Sequence, residues 1–413
     1  MTTGVLLALP GPEEAELVAL LDAPGSELQV VRRCADLAEV VAAALAGLGS
    51  IAVLTADLPG LDRTVVGQLS AAGVRTATIA PTSDAARCRS LGVAAVLTDT
   101  DGPAQWAREV RDLAGDAPPP PTFAVKDEDG APARAGRLAV VWGPRGAPGR
   151  SSIAITVAHE LAGRGEVLLV DADTEAPSLT QQLGVLDETA GIAAAARLAG
   201  EGRLGADGLA ALTRRLTEGP LLLTGLTRAD RWRELPAAAL DAVWDTAREL
   251  APWTVVDVAP GIEDPSPGGL AGAVPRRHQA TLSALAAADL VLVVGAAEPV
   301  GMHRLVLALQ ELTESGAVAP HVERVVVVNR LRASVTGSKP EHAVIEALAR
   351  FAGVTDPVLV PDDRPGFDRA MLHGTTLGAV APASKARGAV IELADRLAGE
   401  RRQRRTRRAD TRR

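Results

Sequence analysis

The chain has 413 residues, of which 47% are hydrophobic and only 2% aromatic, and it carries a formal charge of −8. That length accommodates two or three domains with proper cores, and an aliphatic interior of Ala, Val and Leu suits parallel sheets covered by helices. Two cysteines, Cys34 and Cys88, exclude a disulfide framework and a four-thiolate metal site and point to a reducing compartment.

No secretory-type leader is expected, and no run reads as a membrane span. The longest uncharged stretch, residues 40–56, is broken by Gly47, Gly49 and Ser50 and reads as helix, turn and buried strand. A cytoplasmic protein is the expectation.

Residues 1–112 alternate strand-like runs (5–9, 28–31, 51–54, 75–79, 94–97) with helix-like ones (13–21, 37–45, 85–91). This spacing predicts a small, flavodoxin-like parallel α/β domain. The stretch from Ile51 to Asp62, IAVLTADLPGLD, resembles the third strand and following loop of response-regulator receiver domains. In those domains the phospho-acceptor Asp stands three residues before Leu-Pro-Gly, a place held here by Thr55. Leu9-Pro10-Gly11 replaces the acidic pair after the first strand, and Thr98-Asp99 the lysine after the last. Without clustered carboxylates no Mg²⁺ site is expected, and Asp57 reads as an exposed loop residue. A degenerate receiver used for dimerisation or docking is the expectation. Residues 113–136 read as a linker, stiffened by Pro118 to Pro121.

Residues 137–400 read as a second α/β domain, with strands at 138–142, 167–170, 221–223, 254–258, 290–294, 324–328 and 358–360. Stretches 197–232 and 264–277 read as insertions whose arginines Arg228, Arg231, Arg276 and Arg277 face phosphates or, the favoured reading, are solvated surface charges. The first strand breaks into Gly143-Pro144-Arg145-Gly146-Ala147-Pro148-Gly149, then Arg150-Ser151-Ser152 and a helix with Ile153, Val157 and Leu161 on one face. Strand, glycine-rich turn, cation, hydroxyl and helix is the order of a phosphate-binding loop. Backbone N–H groups and the helix N-terminus meet phosphate, the cation sits on it, and the hydroxyl reaches Mg²⁺.

Three later strand ends supply matching chemistry. Glu166 to Asp173 ends in the carboxylates Asp171 and Asp173, and Trp253 to Gly261 carries Asp257. Such carboxylates orient Mg²⁺ and the attacking water. Asn329-Arg330 ends another strand with an amide suited to a base edge. Strand-end Asp and Asn also cap helices and turns. At the carboxyl ends of parallel strands, however, the group converges on one crevice.

With these elements in place, residues 137–400 resemble the MinD/ParA group of dimeric P-loop ATPases, a mainly parallel sheet with helices on both faces. With the receiver-like domain in front, the chain resembles the CpaE/TadZ branch of that group, associated with pilus-assembly, septal or polar placement. The family loop K-G-G-x-G-K-[ST]-[ST] aligns with residues 145–152. The resemblance implies that Arg145 takes the place of the lysine reaching the partner's nucleotide and Arg150 that of the phosphate lysine. It implies Ser151 as the Mg²⁺ hydroxyl and Asp173 as the water-positioning carboxylate. Asp257 to Gly261 falls on the second switch, and Asn329 with the loop Val360-Pro361-Asp362-Asp363 on the adenine contacts.

ATP and Mg²⁺ as ligands, an ATP-dependent homodimer and a protein partner of a localisation or pilus system follow from the same resemblance. The departures are two arginines for lysines, Ala147 for a glycine and Pro148, which lacks an N–H. They favour binding over fast turnover and leave a non-hydrolysing scaffold as the alternative. Electron-transfer relatives need bridging cysteines, which residues 137–400 lack, and the six histidines show no ligand spacing.

Residues 401–413 hold eight arginines against Asp410, a local +7, which leaves −15 on residues 1–400. An acidic body with a basic tail argues against a DNA-coating body, as a ParA-like partitioning protein would have. The tail is expected to be disordered and suited to an anionic membrane surface or, less so, to nucleic acid.

Overall fold

The computed structural model describes residues 2–115, 136–186, 189–217, 219–263 and 276–399. Most of the proline-rich linker, most of the 264–277 stretch and the arginine tail lie outside the described residues. The described residues form two compact units, one built on a five-stranded sheet and one on an eight-stranded sheet.

The first unit contains β1 (Thr3–Ala8), β2 (Leu28–Arg33), β3 (Ile51–Thr55), β4 (Arg75–Ala80) and β5 (Ala95–Thr98). They lie in the order β2-β1-β3-β4-β5 and every pairing is parallel. This is the flavodoxin-like order expected from the alternating runs. Buried aliphatic residues cover both faces, with Val5, Leu7 and Val53 on one side and Leu6, Ala52 and Leu54 on the other. Two helices absent from the sequence reading complete it. Arg63–Ala71 has a weak helical signature because Thr64, Val65 and Val66 are β-branched and Gly67 follows, yet the Asp62 side chain caps it at Val65 N. Gly102–Gly115 buries Trp106, Ala107 and Val110 along one face.

In the second unit the strands are β6 (Arg137–Trp142), β7 (Val167–Ala172), β8 (Arg214–Arg215), β9 (Leu221–Leu223), β10 (Trp253–Val258), β11 (Leu290–Ala296), β12 (Glu323–Leu331) and β13 (Val358–Pro361). Their order is β13-β12-β11-β6-β10-β7-β9-β8, parallel except for the short edge strand β8, which pairs antiparallel with β9. β8 was not anticipated, since two arginines carry no strand pattern. With β9 it places residues 214–215 and 221–223 at the sheet edge.

The helices Arg150–Ala162 and Lys385–Leu397 pack against the same core, which takes in Ala139, Val141, Leu169, Leu292 and Val327. The last helix starts five residues before its apolar pattern (390–397), because the Ser384 side chain caps it at Arg387 N. Among the described residues no helix is long and apolar enough to cross a membrane.

Candidate functional site

β6 lies between β10 and β11, and the chain crosses over in opposite directions on its two sides, toward β10 and β7 or toward β11 and β12. A crevice opens at the carboxyl ends of strands at such a point. Register then fixes what faces it. Asp257 on β10 stands level with Val141 on β6 and with Asp171 on β7, while Asn329 on β12 stands level with Ala296 on β11.

Residues 143–149 fill the turn between β6 and the helix Arg150–Ala162. Gly146 (φ +75°) and Gly149 (φ +89°) adopt the left-handed conformation that favours glycine. Gly149 also has no room for a side chain, because a Cβ would sit 2.3 Å from Asn329 Nδ2. Among the described residues the amides of Gly146, Gly149, Arg150, Ser151 and Ser152 donate to no protein group, as a phosphate cradle requires. Ala147 and Pro148, expected in that cradle, contribute no amide to it. The Ala147 N–H closes a turn onto Pro144 O at 3.0 Å, and Pro148 has none. The Pro148 carbonyl instead accepts the Asn329 amide at 3.1 Å.

The two loop arginines have different surroundings. Arg150 is mostly buried, donating to Gly143 O at 3.0 Å and to Asp173 Oδ2 at 3.4 Å. Arg145 is 59% exposed and forms a two-pronged pair with Glu175 at 2.7 and 3.2 Å.

The carboxylates also separate. Asp171 accepts the amides of Ser178 and Leu179, each at 3.0 Å, and so pins the segment after β7. Asp173 accepts those of Glu175 and Ala176 at 2.8 and 2.9 Å. Asp257 is fully buried, and neither of its oxygens has a hydrogen-bond partner among the described residues. Burial foremost, then the Asp171 charge, push its carboxyl up to about 8, against the pull of the Ser151 hydroxyl and Arg150. Burial likewise raises Asp171, to about 7, although the Leu179 amide opposes it. The Ser151 hydroxyl meets Ser178 Oγ at 3.3 Å, and Ser178 in turn accepts from Gln182 at 2.9 Å.

The residues expected at the base are less uniform. Asn329 folds back on the loop, and its Oδ1 accepts the amide of Arg330, a non-glycine residue at φ +58°. Pro361 pairs with Leu331 at the end of β13, and Asp363 caps the helix Arg364–Leu372 at Gly366 N, 3.0 Å. Two neighbours of the loop have partners that the sequence does not link. Trp142 Nε1 donates to Pro260 O at 3.0 Å, tying the loop strand to the segment after β10. Arg277 donates to Thr174 at 3.1 Å, through both its hydroxyl and its carbonyl, and is therefore not a solvated surface charge. Arg228 and Arg231, by contrast, pair with Asp230 and Glu234 at the surface. No spacing rule in the sequence links these partners.

No protein-family model matches the chain, and no curated protein matches it. Among solved structures it is similar to a ParA family ATPase from Chlorobium tepidum TLS, with 17% identity over 63% of this chain and 98% of that one and a TM-score of 0.53. Over the matched part the chain has the fold of this ParA family ATPase. The chain is also similar to the cell division ATPase MinD from Pyrococcus furiosus (18% identity, 64% of this chain and 99% of that one, TM-score 0.49). A third is MinD from Pyrococcus horikoshii OT3, solved with Mg-ADP (17%, 63% and 96%, 0.48).

Proposed function

We propose that the chain binds Mg-ATP at residues 143–152 and works as a nucleotide-dependent dimeric switch in spatial positioning, such as pilus assembly or septal or polar placement. One observation carries this reading. Free loop amides, Arg150, Ser151 and an unpartnered buried carboxylate, Asp257, converge where the MinD/ParA fold opens its crevice.

The residues present fit a magnesium ion. A buried carboxylate with both oxygens unpartnered is costly unless a cation meets it, and the Ser151 hydroxyl is its neighbour. No group of three His, Cys, Asp or Glu among the described residues holds a metal alone, so phosphate and water would complete the shell around Ser151 and Asp257. The ion's contribution is neutralisation of phosphate charge. Arg150 would turn its guanidinium to phosphate, and Asp173, fixed by two amides, would orient the attacking water. Arg145 is exposed, and on release from its pair with Glu175 it would reach a second copy. At the cytoplasmic face of a membrane, residues 401–413 would meet anionic lipid.

A non-hydrolysing scaffold is the second reading, favoured by the Arg150–Asp173 and Arg145–Glu175 pairs, which occupy both cations and the proposed water-orienting group. The deciding experiment measures Mg-ATP binding and turnover by the purified protein beside Arg150→Ala, with size-exclusion in ATP and in ADP. Binding with ATP-dependent dimerisation, lost in the variant, supports the switch, and turnover separates ATPase from scaffold. Absence of nucleotide binding by the parent protein would sink the reading.

A further inference from the structure

A third arginine lies against the phosphate loop from outside it. Arg304 sits in the second turn of the helix Pro299–Glu314, which follows β11, the neighbour of β6. A Cβ placed on Gly146 would be 2.4 Å from one terminal nitrogen of Arg304 and 3.5 Å from its Cζ, so the guanidinium lies directly on the crown of the loop. The residue is exposed, and among the described residues it makes no hydrogen bond or ion pair. On the same helix face two turns later, Glu311 is raised by burial and by Glu263 and lowered by Arg145, so this face borders the loop and the segment after β10.

The two arginines within the loop are both engaged, Arg145 by Glu175 and Arg150 by Gly143 O and Asp173. A guanidinium without a partner among the described residues, beside free backbone N–H groups, concentrates positive charge at the loop. It also offers the fork that matches phosphate oxygens.

We infer that Arg304 binds the terminal phosphate of the nucleotide and makes the loop prefer a triphosphate to a diphosphate. This rests on the proposed nucleotide site and adds a residue outside its motif. Gly146 carries the crown, the part of the loop away from the helix start at Arg150. A phosphate bound on the helix amides therefore leaves the crown for the outermost one. The Ala147 N–H is spent on Pro144 O and Pro148 has none, and the side-chain cation replaces donors that the backbone lacks.

The test compares Mg-ATP and Mg-ADP dissociation constants, by calorimetry on the full chain, for the parent, Arg304→Ala, Arg304→Lys and Arg150→Ala. Arg304→Ala should weaken ATP binding by about ten-fold and ADP binding by less than about two-fold, with Arg304→Lys between. Arg150→Ala should weaken both. Equal losses for ATP and ADP in Arg304→Ala, or no loss in either, overturn the inference and leave the nucleotide site standing. A parent protein that binds neither nucleotide overturns both. Matching thermal melting curves for parent and Arg304→Ala establish that the exposed substitution has not disturbed the fold.

Discussion

Both sheets end their parallel strands in loops, yet among the described residues the larger one alone keeps carboxylates buried there. In the five-stranded sheet the β3 end carries Thr55, which donates to Asp57, and the β5 end Thr98, which donates to Asp101. Both aspartates are exposed. In the eight-stranded sheet the matching ends carry Asp171 and Asp257, fully buried, with Asp173, Asn329 and Arg150 around them. A carboxylate that reaches water and bonds a neighbouring hydroxyl costs little. One sealed in the core costs several kcal/mol in its charged form, so it holds a proton unless a cation meets it. Two sheets built mainly of parallel strands thus hold different groups at their strand ends, and side-chain burial makes the difference.

The sharpest way to break this contrast is Arg150→Ala, expected to reduce Mg-ATP affinity about a hundred-fold in calorimetry, as loss of a charge-assisted phosphate contact does. An unchanged affinity would strip the larger sheet of its proposed site. Gly149→Ala comes next. Its φ of +89° and the Asn329 amide 2.3 Å from a new Cβ should lower stability by about 2 kcal/mol in urea unfolding. A parent-like midpoint there would mean the loop is not held as described.

The buried carboxylate gives a pH signature. Asp257 is raised from 3.8 to about 8, so the folded state holds this proton more tightly than the unfolded chain does. Stability contributed by the protonated form is therefore lost as pH climbs between those values. Asp257→Asn should raise the melting temperature of nucleotide-free protein by about 5 °C at pH 8 and by much less at pH 5. It should also abolish the magnesium dependence of nucleotide binding. A gain equal at both pH values would mean that the charge is not what the fold resists. The smallest effect belongs to the other sheet. Asp57→Asn should change stability by less than about 0.5 kcal/mol, and the parent protein should take up no phosphoryl group from acetyl phosphate by intact-mass measurement. Stable labelling at Asp57 would make the two sheets alike after all.

The sequence by itself determined the α/β class, nearly all the strands and the order of loop, Asp171, Asp173, Asp257 and Asn329 along the chain. Apolar strand runs and a glycine-rich turn are local signals, because period and backbone freedom are set within a few residues. Only the tertiary structure decided how those residues divide the work. Asp171 and Asp257 look alike as strand-end carboxylates, yet the first is satisfied by the Ser178 and Leu179 amides and the second has no hydrogen-bond partner among the described residues. Ala147 and Pro148 lie inside the motif but give it no donor, whereas Arg304 lies more than 150 residues away and rests on Gly146. Hydrogen-bond satisfaction and burial depend on which strands become neighbours, and β10 comes to lie between β6 and β7 only when the sheet assembles.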